Sequence, residues 1–170
     1  MYITDHYWNN YIGDTDDSLN LGMYLADKNK EEITLAEIFS DLGLNKLDGD
    51  FRQHDDPLTV PLLNISSDYD EVYIEFYYAI DIITDLAALL LECKINGSIP
   101  LPELFGEDLV TDAPNIRITA TEEESGLISK ALADFAAAPF SYDISEMEDE
   151  DSLQEIAKLC AELRNELYAQ

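Results

Sequence analysis

The chain has 170 residues, 46% of them hydrophobic and 10% aromatic, with 37 acidic side chains against 9 basic ones and a formal charge of -28. That much apolar material excludes a disordered acidic chain, and the length suits a single domain, 1–170, with a core of its own. So negative a surface excludes direct binding of nucleic acid or anionic lipid and favours a basic protein partner, with solubility or a salt-adapted host as the plainer explanation.

Residues 1–13 are aromatic and irregular and read as a short strand or a packed arm. A helix is expected over about 16–27, with Thr15 or Asp16 as N-cap, Asp16 and Asp17 at its positive end, and Lys28 and Lys30 at its negative end. Thr34 followed by Glu37 fits a capping box for a second helix, closed by Gly43. Asp48-Gly49-Asp50 is a turn signal. Leu58 to Ile65 carries Pro61 and so reads as an edge strand, joined through residues 66–70 as a hairpin to the next strand.

From Glu71 to Tyr78 the pattern alternates, with Val72, Ile74, Phe76 and Tyr78 on one face, as in a half-buried strand. The period then changes. Ala79 to Lys94 is apolar except for a thin stripe of Asp81, Asp85, Ala88 and Glu92, so this central helix is expected to be packed on most sides and stopped by Asn96-Gly97. It is too short and too charged to span a membrane. Pro100 and Pro102 bend the chain into one helical turn at Glu103–Gly106, and Asn115 to Ala120 alternates as a third strand. Thr121 and Glu124 form another capping box ahead of Leu127, Ile128, Ala131, Leu132 and Phe135 at core spacing. Phe140 to Ser145 reads as a linker. Residues 146–151 are an acidic run, and Ser152 with Glu155 is expected to cap the last helix. The fold class is therefore α+β: about five helices around a small, mostly antiparallel three-stranded sheet, with a buried helix near 79–95 at the centre.

Sites for chemistry are scarce. Counted as a calcium loop from Asp14, the sixth and twelfth positions are Leu19 and Leu25, where glycine and glutamate are needed. His6 and His54 stand far apart without a zinc-binding pattern, so no metal is expected. Cys93 and Cys160 lie on apolar helix patterns and read as buried reduced thiols, not as a disulfide, a metal pair or nucleophiles. Asp81 and Asp85, one turn apart, could share a proton, but a solvent-facing stripe near a helix N-terminus is the simpler expectation. Neither a phosphate loop nor a G-x-S-x-G elbow is present, and the nine bases do not cluster. The expectation is a non-enzyme without cofactors. No apolar run opens the chain, so no signal peptide is expected and the cytoplasm suits it.

What remains is acids interleaved with aromatics. Trp8, Tyr11, Asp14, Asp16 and Asp17 form one group; Asp68, Tyr69, Asp70, Tyr73, Glu75 and Tyr77 form another; Glu146 to Asp151, more purely acidic, a third. Aromatics anchor interfaces and carboxylates steer cationic partners. The expected partner contacts are Trp8, Asp14, Asp16, Asp17, Tyr69, Asp70, Glu148 and Asp149.

The stretch Tyr7-Trp8-Asn9-Asn10-Tyr11-Ile12-Gly13-Asp14-Thr15-Asp16-Asp17-Ser18, followed by Ile33-Thr34-Leu35-Ala36-Glu37-Ile38-Phe39 and the element at 71–94, resembles small cytosolic immunity proteins of bacterial toxin–immunity systems, in the contact-dependent growth inhibition and polymorphic-toxin class. The resemblance implies a non-enzymatic protein that binds one cognate toxin domain, basic and in many cases a nuclease, and occludes its active site. A DNA-mimic inhibitor of a DNA-binding protein is the alternative; its acids would track along one elongated face.

Overall fold

The computed structural model describes residues 1–52, 57–63 and 72–169. The opening residues form a short helix, α1 (Tyr2–His6), where a strand or arm was expected. A tight reversal follows, with Asn9, Tyr11 and Gly13 all at positive φ. It tucks Ile3, Tyr7, Trp8 and Ile12 into the core. The arm is thus packed, as expected, but as a helical turn and not a strand.

α2 (Asp16–Lys28) starts at Thr15, whose side chain accepts the backbone N–H of Ser18 while the Ser18 hydroxyl meets that of Thr15. β1 (Glu32–Thr34) leads directly into α3 (Leu35–Leu42). Thr34 caps α3 by accepting from the Glu37 N–H at 3.1 Å. The Glu37 carboxylate lies 2.6 Å from the Lys30 ammonium and 3.3 Å from that of Lys28. Gly43, at φ +77°, closes the helix.

β2 (Leu58–Leu62) and β3 (Val72–Phe76) pair antiparallel, Val60 opposite Ile74. Pro61 fits because a two-stranded sheet consists only of edges. Ile74 and Phe76 face the core, and Tyr73 and Glu75 face out. The expected turn at 66–70 lies outside the described residues.

α4 (Ala79–Asn96) is the centre of the molecule, and Gly97 at φ +87° ends it. Every residue from 79 to 92 is buried. α1, α2, α6 (Glu122–Ala137) and α7 (Glu150–Leu167) pack around it, with a sheet on the remaining side. Each fully buried Leu or Ile here contributes roughly 1.5–3 kcal/mol. The stripe of Asp81, Asp85 and Glu92 is buried too, at 8%, 1% and 0% exposure. This corrects the expectation of a solvent-facing stripe: the N-terminal arm lies against it, and its Ile3 and Gly13 amides supply donors to Glu92 and Asp85.

β4 (Ile99–Pro100), α5 (Leu101–Phe105) and β5 (Asn115–Thr119) follow. β5 is the middle strand of a mixed sheet, parallel to β1 (Ile33 opposite Ile118) and antiparallel to β4 (Ile99 opposite Ile116). The α+β class stands, with α2, α3, α4, α6 and α7 as the substantial helices. The sheet is assembled differently from the expectation: the hairpin forms its own sheet, and β1 and β4 complete the three-stranded one. Strands of two or three residues carry too little alternation to announce themselves in a sequence.

α6 (Glu122–Ala137) begins with the expected reciprocal box of Thr121 and Glu124. The expected linker at 140–145 is instead two short 3-10 turns, Pro139–Ser141 and Asp143–Glu146, which bury Tyr142 and Ile144. α7 (Glu150–Leu167) is capped by Asp149, which accepts the Ser152 N–H at 2.7 Å. Ser152 therefore lies inside the first turn, three residues past the true cap.

Candidate functional site: an acidic cleft over the central helix

Three carboxylates in or near the first half of α4 are used in different ways. Asp17, in the first turn of α2, is 1% exposed. It accepts the backbone N–H of Tyr77 at 2.8 Å and of Tyr78 at 2.9 Å, where β3 turns into α4. Tyr78 has no side-chain cap of its own, so a carboxylate from another helix takes up donors at this junction. Asp85 accepts the Gly13 N–H at 2.9 Å and the Ser18 hydroxyl at 2.6 Å. Burial pushes the Asp85 carboxyl up to about 7, although these two bonds pull the other way.

Asp81 differs. It is 8% exposed, and among the described residues no hydrogen bond or ion pair satisfies its carboxyl. Burial raises its pKa well above the ordinary carboxylate range, and the negative charges of Asp85, Asp17, Asp143 and Glu148 add to the rise.

Asp81 lies where two adjoining cavities meet. The inner one, of about 160 Å³, is walled by Ile12, Ile80, Phe135 and Ile156 among others. The outer one, of about 470 Å³, opens between Asp16, Asp17, Tyr77, Tyr78 and Met147. Asp14, Thr15, Asp81, Ile144 and Glu148 border both. Among the described residues, no lysine, arginine or histidine lines either cavity. Tyr77 and Met147, 47% and 69% exposed, present apolar surface at the rim.

The structure brings together much of what the sequence singled out. Asp14, Asp16, Asp17 and Glu148, from opposite ends of the chain, line this cleft. Asp14 and Asp16 are exposed, whereas Asp17 is spent on backbone donors. Trp8 is 3% exposed and packs edge-to-face on Phe105, with 5.5 Å between ring centroids; it is a core residue and not a free surface anchor. Asp149 is exposed, with its carboxyl held below the usual range by the Ser152 N–H it accepts. Tyr69 and Asp70 lie outside the described residues, as does His54. His6 is exposed, its Nδ1 2.9 Å from the Tyr2 carbonyl. Asp81, Tyr78 and Met147 were not singled out as contacts. The one sequence signal for Asp81, an acid on an apolar helix one turn from Asp85, was assigned to solvent.

The Immunity protein 68 family model matches residues 2–167. The chain belongs to the Immunity protein 68 family. No curated protein and no solved structure matches it. Membership makes the chain an immunity protein directed against a toxin, in line with the resemblance carried by residues 7–18 and 33–39. Among the described residues of this Immunity protein 68 member, no helix is long and apolar enough to cross a membrane. No group of three or more His, Cys, Asp or Glu among them is arranged to hold a metal ion.

Proposed function

We propose that this immunity protein neutralises one cognate basic toxin domain by docking it over the acidic cleft and occluding its active site. The observation that carries the reading is the cleft itself: Asp14, Asp16, Asp17, Asp81 and Glu148 border a concave surface to which none of the described residues contributes a base. A partner that fills it must bring the positive charge that the cleft lacks. Tyr77 and Met147 supply rim contacts of the type that anchors interfaces, and the charge of -28 steers a cationic domain from a distance. A nuclease is the toxin class that fits most naturally, because a surface built to hold phosphates is itself basic. Convergence of these acids on a hollow, instead of along one long ridge, favours a single protein partner over DNA mimicry. The cytoplasm of the producing cell suits the two free thiols.

The test is a charge-reversal variant, Asp14→Lys with Asp16→Lys and Glu148→Lys, measured against the cognate toxin domain. All three side chains are at least partly exposed, so the fold tolerates the change. Affinity is expected to fall by roughly a hundredfold, mostly through a slower on-rate. Unchanged affinity would place the toxin elsewhere on the molecule.

A further inference from the structure

We infer that the cleft seats the head of a single cationic side chain from the toxin, guanidinium or ammonium, with Asp81 as the counter-ion at its floor. This rests on the reading above that the toxin docks over the cleft, and it identifies which group enters.

Asp81 is more than nine-tenths buried, opens onto both cavities, and has no hydrogen-bond or ion-pair partner among the described residues. Its two neighbouring acids are already committed, Asp17 to the Tyr77 and Tyr78 amides and Asp85 to Gly13 and Ser18. A buried carboxyl left in this state is costly to ionise, and the cost is removed when a cation arrives with donors. The groups bearing on Asp81 from the surrounding elements are all acids or neutral: Asp17 from α2, Asp85 on its own helix, Asp143 and Glu148 from the segment before α7. The Cys160 thiol on α7, pushed up by burial and then by the Asp81 and Asp85 charges, is a further neutral group bearing on this region. A guest bringing one positive charge therefore meets only complementary groups.

The shape agrees with one side chain and not with a flat patch. Asp14, Asp81 and Glu148 border both cavities, so a charged tip that reaches Asp81 lies among three carboxyl groups. The aliphatic stem behind that tip would run past Met147 and Ile144, which line the outer cavity. Tyr77 and Tyr78 line the same outer cavity, and aromatic rings are favourable neighbours for a cation.

The test uses the full chain and two small probes, methylguanidinium and methylammonium, titrated at constant ionic strength against sodium while the carboxyl carbons are followed by NMR. A saturable shift of the Asp81 carboxyl carbon with either probe, absent with sodium and weakened in Glu148→Gln, is expected. The better of the two probes identifies the head group. Asp81→Asn, which preserves shape, should abolish saturation at the remaining cleft carboxyls and lower the affinity of the cognate toxin domain by roughly thirtyfold or more. If that variant fails to fold, the wild-type titration and Glu148→Gln decide the matter alone. An Asp81 carbon that responds to the organic cations no differently from sodium would overturn the inference. The docking reading would still stand or fall separately, on the Asp14, Asp16 and Glu148 reversal.

Discussion

Gly13 donates its backbone N–H to Asp85 at 2.9 Å, across 72 residues of chain. With the Ile3 N–H donating to Glu92 at 3.0 Å, this bond lays the N-terminal arm along the one polar stripe of α4. Tyr7, through Glu166, and Tyr11, through Glu155 at 3.1 Å, tie the same arm to α7. The arm is a lid on buried carboxylates, and its far end forms one wall of the cleft.

Removing the acceptor should therefore loosen the arm. Asp85→Ala leaves the Gly13 amide and the Ser18 hydroxyl without their partner, and a cost on the order of 3 kcal/mol is expected. Asp85→Asn keeps an acceptor and should cost less. Denaturant unfolding of the two variants checks the ranking; equal losses would show that shape alone matters at this position.

Stability should rise as the solution is acidified from about pH 8 to about pH 5. The Asp85 carboxyl titrates at about 7 in the folded chain and near 3.9 when unfolded, so between those values the folded state binds the extra proton. The resulting loss of stability accumulates as pH rises from about 4 to about 7 and levels off above that, reaching on the order of 4 kcal/mol. Asp81, raised for the same cause, acts in the same sense. Below about pH 4, Asp50, held at about 2 chiefly by the hydrogen bond from Arg52, loses its pairing and contributes in the opposite sense, but only slightly, because the pair is exposed. Unfolding curves across this range, repeated on Asp85→Asn with its flattened slope, are the check.

Gly13→Ala should be more damaging than a one-carbon change suggests. Gly13 has φ +80°, and a Cβ there would sit 2.3 Å from the Trp8 ring. A loss of about 2–4 kcal/mol is expected from the strained backbone and the displaced indole together. Trp8 is the single tryptophan, so its emission should shift to the red as the ring is pushed toward water. Blue emission and unaltered stability would mean that the arm yields at no cost.

The two thiols should differ sharply. Cys160 is fully buried and its thiol is pushed far up, whereas Cys93 is half-buried at the edge of a surface cavity. A thiol reagent should label Cys93 slowly and Cys160 only after global unfolding. Rapid labelling of Cys160 in the native protein would contradict the packing of α7 on α4.

Much of this architecture is legible in the sequence because local rules and packing agree. The Thr15, Thr34 and Thr121 caps, the glycine stops at Gly43 and Gly97, and the shift of period between β3 and α4 all lie where the residues place them. The failures have separate causes. Asp81, Asp85 and Glu92 read as a wet face because charge ordinarily marks solvent, and only the folded chain shows the arm delivering amides to two of them. β1 and β4 acquire strand character from β5, a tertiary partner that no local window contains. Asp149 displaced Ser152 as the α7 cap because either residue satisfies the same local rule. In the cleft, the acids at 14–17 and 148 were visible as separate groups, but their convergence, and Asp81 beneath them, depends on how α2, α4 and the 140s segment pack.

The central claim is that this acidic surface exists to receive a cationic toxin. Its most direct test is the association rate with the cognate toxin domain, measured from about 0.05 to about 0.5 M salt. The rate should fall by about tenfold or more across that range, and the Asp14, Asp16 and Glu148 reversal should remove most of the dependence. An association rate indifferent to salt and to those three charges would contradict it.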